Sequence, residues 1–424
     1  MAGTQELGAA EPMGKSGLAR LGTLLLPLLG LLLVNLLYVC AALIMRRLGS
    51  DIPIARFWSL NNLTTVIIQT VMVAIAGLGM TFVIVSGGID LSVGSVVAFV
   101  TVAIALALQP LPGGDHLPVW LAGLLGILVG GLCGFVGGLM LTERRDVRVG
   151  LVIVSIILVT VLARFLLPGG LMPVWIAGVL GILAGGLTGL LNGLMITGLR
   201  IVPFIATLGM WSIARGVAKV LAGEQKIDAR ETWLSNLMVK APRDEWLNLE
   251  PSWFKAIPDA IRQPIEQIAF SPGLWIMMVA VVSMWLVLRY TTFGRYTIAI
   301  GSNEPTARLC GVRVNQTKIL IYTLSGFLIG LAGLLQFSRL TVGDPTVAGG
   351  MELDVIAAVV IGGGSLSGGE GSIMGTLIGA LTMSLLRNAC DFLNWGNYVQ
   401  EIFIGIFIVL YVAIDQLRRA RTAA

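Results

Sequence analysis

The sequence predicts an all-α polytopic membrane protein with about 12 transmembrane segments. Of the 424 residues, 56% are hydrophobic and only 12% are charged, whereas a soluble domain carries about 25% charged residues. Apolar runs of about 18 residues or more recur along the chain, and a helix of that length crosses a bilayer. The 54 glycines fall mostly inside these runs, where small residues let helices approach closely. Together these observations favour a tightly packed helical bundle.

The predicted spans form a transmembrane domain at 19–417, between cytoplasmic tails at 1–18 and 418–424. Lys and Arg cluster in loops that fall on one side if the spans alternate, and that side is expected to be the cytoplasm. Arg46, Arg47 and Arg56 oppose this orientation, but the reverse orientation fits the loops less well. The spans are 20–45, 63–86, 91–109, 117–142, 147–167, 172–197, 201–222, 273–291, 317–338, 350–363, 370–390 and 398–417.

Two glycine-rich breaks interrupt apolar runs, SGGIDLSVGS at 86–95 and GGGSLSGGEGS at 362–372. Glycine-broken spans in the two halves of a transporter indicate a translocation path, and a tight turn between helices is the alternative. Polar residues inside membrane spans are rare and, where buried, often functional. The candidate path residues are Gln69, Asp90, Ser92, Asn192, Glu352, Asp354 and Asn388.

An internal repeat accounts for two of the spans. Residues 118–142 match residues 173–197 in 17 of 25 positions, and each copy is preceded by Pro-Gly-Gly. We interpret 112–167 as a tandemly duplicated helix pair. The pair adds one crossing in each direction, so it leaves the orientation of the later spans unchanged.

One long polar stretch, 223–272, is expected to be an extracytoplasmic insertion, because it follows an outward-running span. Loops of such length are usually functional or disordered. A docking surface for an external partner and a loop without a partner are equally compatible with its composition.

The polar stretch 293–316 predicts a short capped helix on the cytoplasmic side. Asn303 suits an N-cap and Gly311 suits the C′ position. Glu304 and Arg308 are spaced i,i+4 and can form an ion pair. A helix of about two turns is marginal alone in water, so this one requires a surface to dock against. The pattern by itself is typical of a capped surface turn, and a partner-binding helix is the alternative.

Several kinds of chemistry are not expected. His116 is the only histidine and the 4 cysteines lack metal-type spacing, so no metal site, catalytic residue or cofactor is predicted. The sequence contains no G-x-x-x-x-G-K-[ST] loop, so the chain is not expected to hydrolyse ATP. SLSGGE at 365–370 matches the signature of ATP-binding cassettes, and we interpret it as a coincidence at a turn. The sequence contains no basic patch with interleaved aromatic residues, so nucleic-acid binding is not expected.

Four blocks, in this order, resemble the permease subunits of monosaccharide ABC importers of the ribose, xylose, arabinose and galactose type. The blocks are AGLGMTFVIVSGGIDLSVGSVVAF (76–99), LNGLMITGLRIVPFIATLGM (191–210), TTFGRYTIAIGSNEPTARLCGVRV (291–314) and ELDVIAAVVIGGGSLSGGEGSIMGTLIGA (352–380).

The resemblance implies a type-II-like permease bundle of ten helices, to which the duplicated pair adds two. It implies a dimer with a second permease copy, surrounded by lipid in the bacterial plasma (inner) membrane. The implied partners are a cytoplasmic ABC ATPase and an extracytoplasmic sugar-binding protein. A stand-alone secondary transporter or channel for a small polar solute is the alternative. Carried over to this sequence, the residues that couple to the ATPase are Gly301, Asn303, Glu304, Ala307, Arg308 and Gly311.

Overall fold

The computed structural model describes residues 15–47, 54–109, 173–238, 271–396 and 398–406, together with 409, 410 and 413. Within these residues the chain is almost entirely helical, and 7 helices are long and apolar enough to cross a membrane. The predicted all-α polytopic fold is confirmed. The total of about 12 spans stays a prediction, because spans 117–142 and 147–167 lie outside the described residues, as do the duplicated unit 112–167, residues 239–270 of the insertion and the tail 418–424.

Chain order alternates long helices with short elements. The elements are α1 (Lys15–Arg47), α2 (Ile54–Phe57), α3 (Leu60–Val85), α4 (Val93–Leu108), α5 (Val174–Gly198), α6 (Pro203–Ala222), β1 (Ile227–Asp228), a 3₁₀ turn (Trp233–Asn236), α7 (Pro272–Tyr290), α8 (Thr292–Ser302), α9 (Glu304–Leu309), α10 (Val314–Leu340), β2 (Val342–Gly343), α11 (Met351–Ile361) and α12 (Ile373–Phe392). Residues 398–406 are also helical.

Glycines bring the long helices into backbone contact, as the composition predicts. Gly185 and Gly189 of α5 face Gly326 and Gly330 of α10, and a Cβ atom at any of these positions would overlap the backbone of the other helix. Membrane helices gain no hydrophobic stabilisation from leaving lipid, so close packing of this kind supplies much of their attraction.

The two ends of the bundle are built differently. At one end, α8 and α9 form a corner between α7 and α10, and we call this the α9 end. At the other end, β1 pairs antiparallel with β2, with Ile227 opposite Gly343, and we call this the β end. The α9 end carries Arg200, Arg308 and Lys318 around one cleft, so the positive-inside tendency predicts that it faces the cytoplasm.

Two short helices begin next to each other inside the bundle. Residues 86–92 lead from the end of α3 to α4, and residues 344–350 lead from β2 to α11. Gly94, in the first turn of α4, lies against the carbonyl of Ala348 and Oε2 of Glu352. With 16 and 11 residues, α4 and α11 are about 24 and 17 Å long, less than the ~30 Å hydrocarbon core.

These two short helices belong to similar units that run in opposite directions. Each unit has a long helix, a non-helical stretch and a short helix. The end of α3 at Val85 lies against Gly301 at the α9 end, whereas α10 begins at the α9 end and finishes at β2. The bundle therefore contains an inverted pair of units, each with a long helix, a non-helical stretch and a short helix.

Candidate functional site

Helix α9 has both of the predicted caps. The Asn303 side chain accepts a hydrogen bond from the Thr306 N–H at 2.9 Å, which satisfies one of the free donors of the first turn. At the other end, Gly311 has φ +84°. The Val312 N–H donates to the Ala307 carbonyl at 3.1 Å, and the Gly311 N–H donates to the Arg308 carbonyl at 3.2 Å. This is the Schellman arrangement, so the sequence correctly predicts both boundaries.

The surface that α9 docks against is the start of α10. Ala307 is 4% exposed and packs with Ile300 of α8 and Val314 of α10. Glu304 forms the predicted ion pair with Arg308 at 3.0 Å and a second one with Lys318 of α10 at 2.7 Å. These contacts attach a two-turn helix that is too short to persist alone.

Lys318 and Arg308 favour the ionised form of Glu304. The Lys318 ammonium, hydrogen-bonded to the carboxylate, holds the pKa of Glu304 below its usual range, and this effect exceeds the opposing effect of burial. Arg308 lowers the pKa further by a smaller amount. Glu304 is therefore ionised at neutral pH. Its side chain is still 38% exposed, and that of Arg308 is 56% exposed, so both remain accessible to another molecule.

An exposed leucine adds an apolar group to the same surface. Leu309 is 88% exposed, two positions after the buried Ala307, and residues two apart on a helix point to different faces. Sequence reasoning missed Leu309, although an isolated leucine at the end of a polar two-turn helix is a signal that could have been read. Large exposed apolar side chains beside charged ones are typical of protein interfaces.

Gly301 joins α8 to two other segments. The Val85 carbonyl at the end of α3 and the Gly369 nitrogen occupy the position that a Cβ atom at Gly301 would need. The Gly369 N–H also donates to the Val85 carbonyl at 2.8 Å. Gly369 belongs to the turn between α11 and α12, so the SLSGGE segment does lie in a helix–helix turn, as predicted.

A cleft of about 420 Å³ opens beside α9, between the end of α5 and the start of α6 and α10. It is lined by Ile196, Thr197, Arg200, Ile201, Pro203, Glu304, Arg308, Asn315 and Lys318.

Three of the candidate path residues form one buried cluster. Asp90 Oδ1 accepts hydrogen bonds from the Ser92 N–H at 2.9 Å and the Ser92 hydroxyl at 2.6 Å. Asn192 Nδ2 donates to the Ser92 hydroxyl oxygen at 3.1 Å. Asp90 Oδ2, Asn192 Oδ1 and the hydroxyl of Tyr322 have no hydrogen-bond partner among the described residues. Tyr322, which lies against Gly88, was not predicted.

The other four candidates do not join that cluster. Asn388 of α12 makes a reciprocal amide pair with Asn62 of α3, at 2.8 and 2.9 Å. Asp354 forms an ion pair with Arg387 at 2.6 Å. Glu352 lies beside Gly94, and Gln69 is half buried on α3.

The structure pairs the break at 86–95 with a different segment from the predicted one. Residues 362–372 are a turn at the α9 end, whereas 344–350 is the stretch that enters the bundle opposite 86–92. We call 344–350 the re-entrant segment. It was missed because it lies between the predicted spans 317–338 and 350–363, where no break was predicted. Its Asp-Pro and Gly-Gly dipeptides are the signal that could have identified it.

Charged side chains hold the re-entrant segment in place. Arg215 Nη1 of α6 donates to the carbonyls of Pro345 and Val347 at 2.9 and 2.8 Å. Asp344 forms an ion pair with Lys226 at 3.2 Å and accepts a hydrogen bond from the Thr346 N–H at 2.8 Å. Non-helical backbone at membrane depth needs partners of this kind.

Comparisons with known proteins place the chain in a family. The model of the family described as "Branched-chain amino acid transport system / permease component" matches residues 62–173 and 149–412. The two matches overlap at 149–173, within the part of the chain that carries the repeat. Together they cover well over half of the sequence. The chain therefore belongs to this family of permeases, which are multi-pass membrane transport components and not enzymes.

Individual relatives agree with this assignment. The ribose import permease protein of Escherichia coli (strain K12) is 32% identical, over 86% of this chain and 88% of its own length. The fructose import permease protein of Rhizobium meliloti is 30% identical, over 85% and 79%. The L-arabinose ABC transporter permease protein of Azospirillum brasilense is 34% identical, over 58% and 65%. No solved structure matches the chain.

Proposed function

We propose that this permease is the membrane subunit of an ABC importer for a monosaccharide or a similar polyhydroxylated solute, in a bacterial inner membrane. The names of the relatives above, which import ribose, fructose or arabinose, support the substrate class. No observation favours a stand-alone transporter or channel. In this proposal a second copy of the chain completes the path, lipid covers the remaining apolar surface, and a sugar-binding protein delivers the solute at the β end.

The α9 end is the proposed contact with a cytoplasmic ATPase. The observation that supports this proposal is the capped helix α9. Ala307 and Lys318 fix its inner face, whereas Glu304, Arg308 and Leu309 remain accessible. A rigid helix that presents one apolar and two charged groups can bind a partner without first becoming ordered, which lowers the entropic cost of association.

The proposed route for motion runs through Gly301. Displacement of α8 by the ATPase would act on the end of α3 and on the turn after α11, because both lie in direct contact with Gly301. These segments adjoin the two short helices, α4 and α11. Asp90, Ser92 and Asn192 are proposed to line the path when the helices separate, since the unpaired oxygens of Asp90 and Asn192 can accept hydrogen bonds from sugar hydroxyl groups.

The experiment replaces the charges on α9. In the double variant Glu304→Gln, Arg308→Gln, we expect the chain to insert normally but to lose uptake of radiolabelled sugars and the ATPase activity that co-purifies with it in detergent. The matched control is Arg295→Gln, which removes an exposed charge from α8 outside this surface. Leu309→Ala should weaken ATPase association about tenfold or more if Leu309 is a hot spot.

Normal uptake by the double variant would contradict the coupling role of α9. Uptake by purified chain in liposomes, driven by an ion gradient without any ATPase, would contradict the importer assignment itself.

A further inference from the structure

The cleft at the α9 end carries an excess of positive charge. Its lining includes three cations, Arg200, Arg308 and Lys318, and one carboxylate, Glu304. Glu304 already pairs with Arg308 and Lys318. Arg200 makes no ion pair with any of the residues that the structure describes. The cleft therefore has two positive charges that its own carboxylate does not balance.

The uncapped start of α6, next to Arg200, adds to this preference for an anion. Arg200 has φ +57°, a left-handed conformation that costs a non-glycine residue roughly 1 kcal/mol or more. Three residues later, α6 begins at Pro203 with no side-chain cap and no acidic residue in its first turn. The positive end of a 20-residue helix thus lies at the cleft without a negative group from the helix itself.

An apolar surface continues outward from the cleft. Ile196, Ile201 and Pro203 line its wall. Beside them, Leu199, Val202 and Ile205 are 70%, 59% and 59% exposed. These residues lie where α5 ends and α6 begins, and both helices are long enough to cross the membrane. A basic cleft and a lipid-accessible apolar face therefore meet at one membrane boundary.

We propose that this cleft binds the headgroup phosphate of an anionic phospholipid from the cytoplasmic leaflet, with the acyl chains lying along α6. Basic pockets between transmembrane helices on the cytoplasmic side bind such headgroups. Inorganic phosphate would satisfy the cations but gain nothing from the apolar face, whereas a zwitterionic lipid would gain little from the cations. The combination of both features selects a lipid with net negative charge.

The test uses the purified full-length chain in detergent. Its thermal unfolding is followed while phosphatidylglycerol, phosphatidylcholine with the same acyl chains, or inorganic phosphate is added. We expect phosphatidylglycerol to raise the unfolding midpoint at concentrations where the other two do not, because a ligand that binds only the folded state stabilises it.

Variants at Arg200 identify the site. Arg200→Asn removes the charge but keeps a residue that tolerates left-handed backbone, and it should require about five times more phosphatidylglycerol for the same shift. Arg200→Lys should retain the effect. Arg295→Gln, which removes a charge at the same end of the bundle but outside the cleft, should also retain it.

Each of the following results would overturn the proposal. Equal stabilisation by inorganic phosphate would indicate a simple anion site, and equal stabilisation by phosphatidylcholine would indicate a non-selective lipid surface. Equal loss in Arg200→Asn and Arg295→Gln would indicate a diffuse effect of charge. If Arg200→Asn cannot be purified, native mass spectrometry of the wild-type chain with an equimolar lipid mixture decides, and a lack of preference for phosphatidylglycerol overturns the proposal.

Discussion

Helix α9 and the re-entrant segment are both short pieces of chain that need the bundle to hold their shape, but they use their charges in opposite ways. On α9, the Glu304 and Arg308 side chains remain 38% and 56% exposed. On the re-entrant segment and the first turn of α11, the charges are directed inward. Asp354 is only 4% exposed in its pair with Arg387. Arg215, on α6, donates two hydrogen bonds to backbone carbonyls of the re-entrant segment.

The difference separates two functions of charge in one membrane protein. Exposed pairs contribute little to stability because water and salt screen them, so the pair on α9 is available for recognition. A buried charge that loses its partner is strongly destabilising, so the pairs around the re-entrant segment determine its position. Variants in the first region should change partner binding, and variants in the second should change stability.

The largest effect on stability is expected from Arg387→Met. This change leaves the Asp354 carboxylate buried without its cation, which costs about 3–5 kcal/mol, towards the lower end because Arg387 is 33% exposed. Unfolding of the purified variant in detergent measures the loss. The double variant Asp354→Asn, Arg387→Met removes both charges and should recover most of it, and an unchanged Arg387→Met would show that the pair does not fix α11.

A smaller loss, about 2 kcal/mol, is expected from Arg215→Met. Each hydrogen bond to a charged group contributes about 1.5–3 kcal/mol, but the Arg215 side chain is only half buried and water replaces part of the loss. Arg215→Lys should be intermediate, because an ammonium can reach one carbonyl. The control Arg230→Met changes an exposed arginine in the same region. Equal stability of Arg215→Met and Arg230→Met would refute the proposed hold on the re-entrant segment.

The smallest effect is the pH dependence of α9. Because the pKa of Glu304 is lowered in the folded state, its contribution is fully present above the unfolded pKa of about 4.3. It is lost only as the pH falls through the still lower folded pKa. Hydrogen exchange of the Gly311 and Val312 amides, corrected for intrinsic rates, should therefore be constant between about pH 5 and 8 and rise only at more acidic pH. Glu304→Gln should remove this acidic rise, and a transition near neutral pH would contradict the assignment.

The sequence predicts those features of α9 that depend on neighbouring residues, and misses those that depend on contacts with other helices. The caps, the Glu304–Arg308 pair and Gly311 follow from short-range rules of helix ends, and all of them are present in the structure. Lys318 could not be assigned as a partner, because its contact depends on how α10 folds back against α9. Leu309 carries a sequence signal, as an isolated leucine in a polar helix, but its exposure follows only from the inward orientation of Ala307.

The polar groups inside the bundle show the same limit. Asp90 and Ser92 are neighbours in sequence, and their hydrogen bonds are local. Their junction with Asn192 joins residues 100 positions apart, and nothing in a single sequence specifies that register. One of the two non-helical stretches was predicted, because Gly87 and Gly88 mark it, whereas the other was placed at 362–372 instead of 344–350.

The contact at Gly301 leaves no free volume between three parts of the chain. Protein interiors are close-packed, so a methyl group at position 301 could not be accommodated without moving a neighbouring segment. Because the Val85 carbonyl and the Gly369 nitrogen occupy that space, Gly301→Ala is expected to displace the end of α3 or the turn after α11.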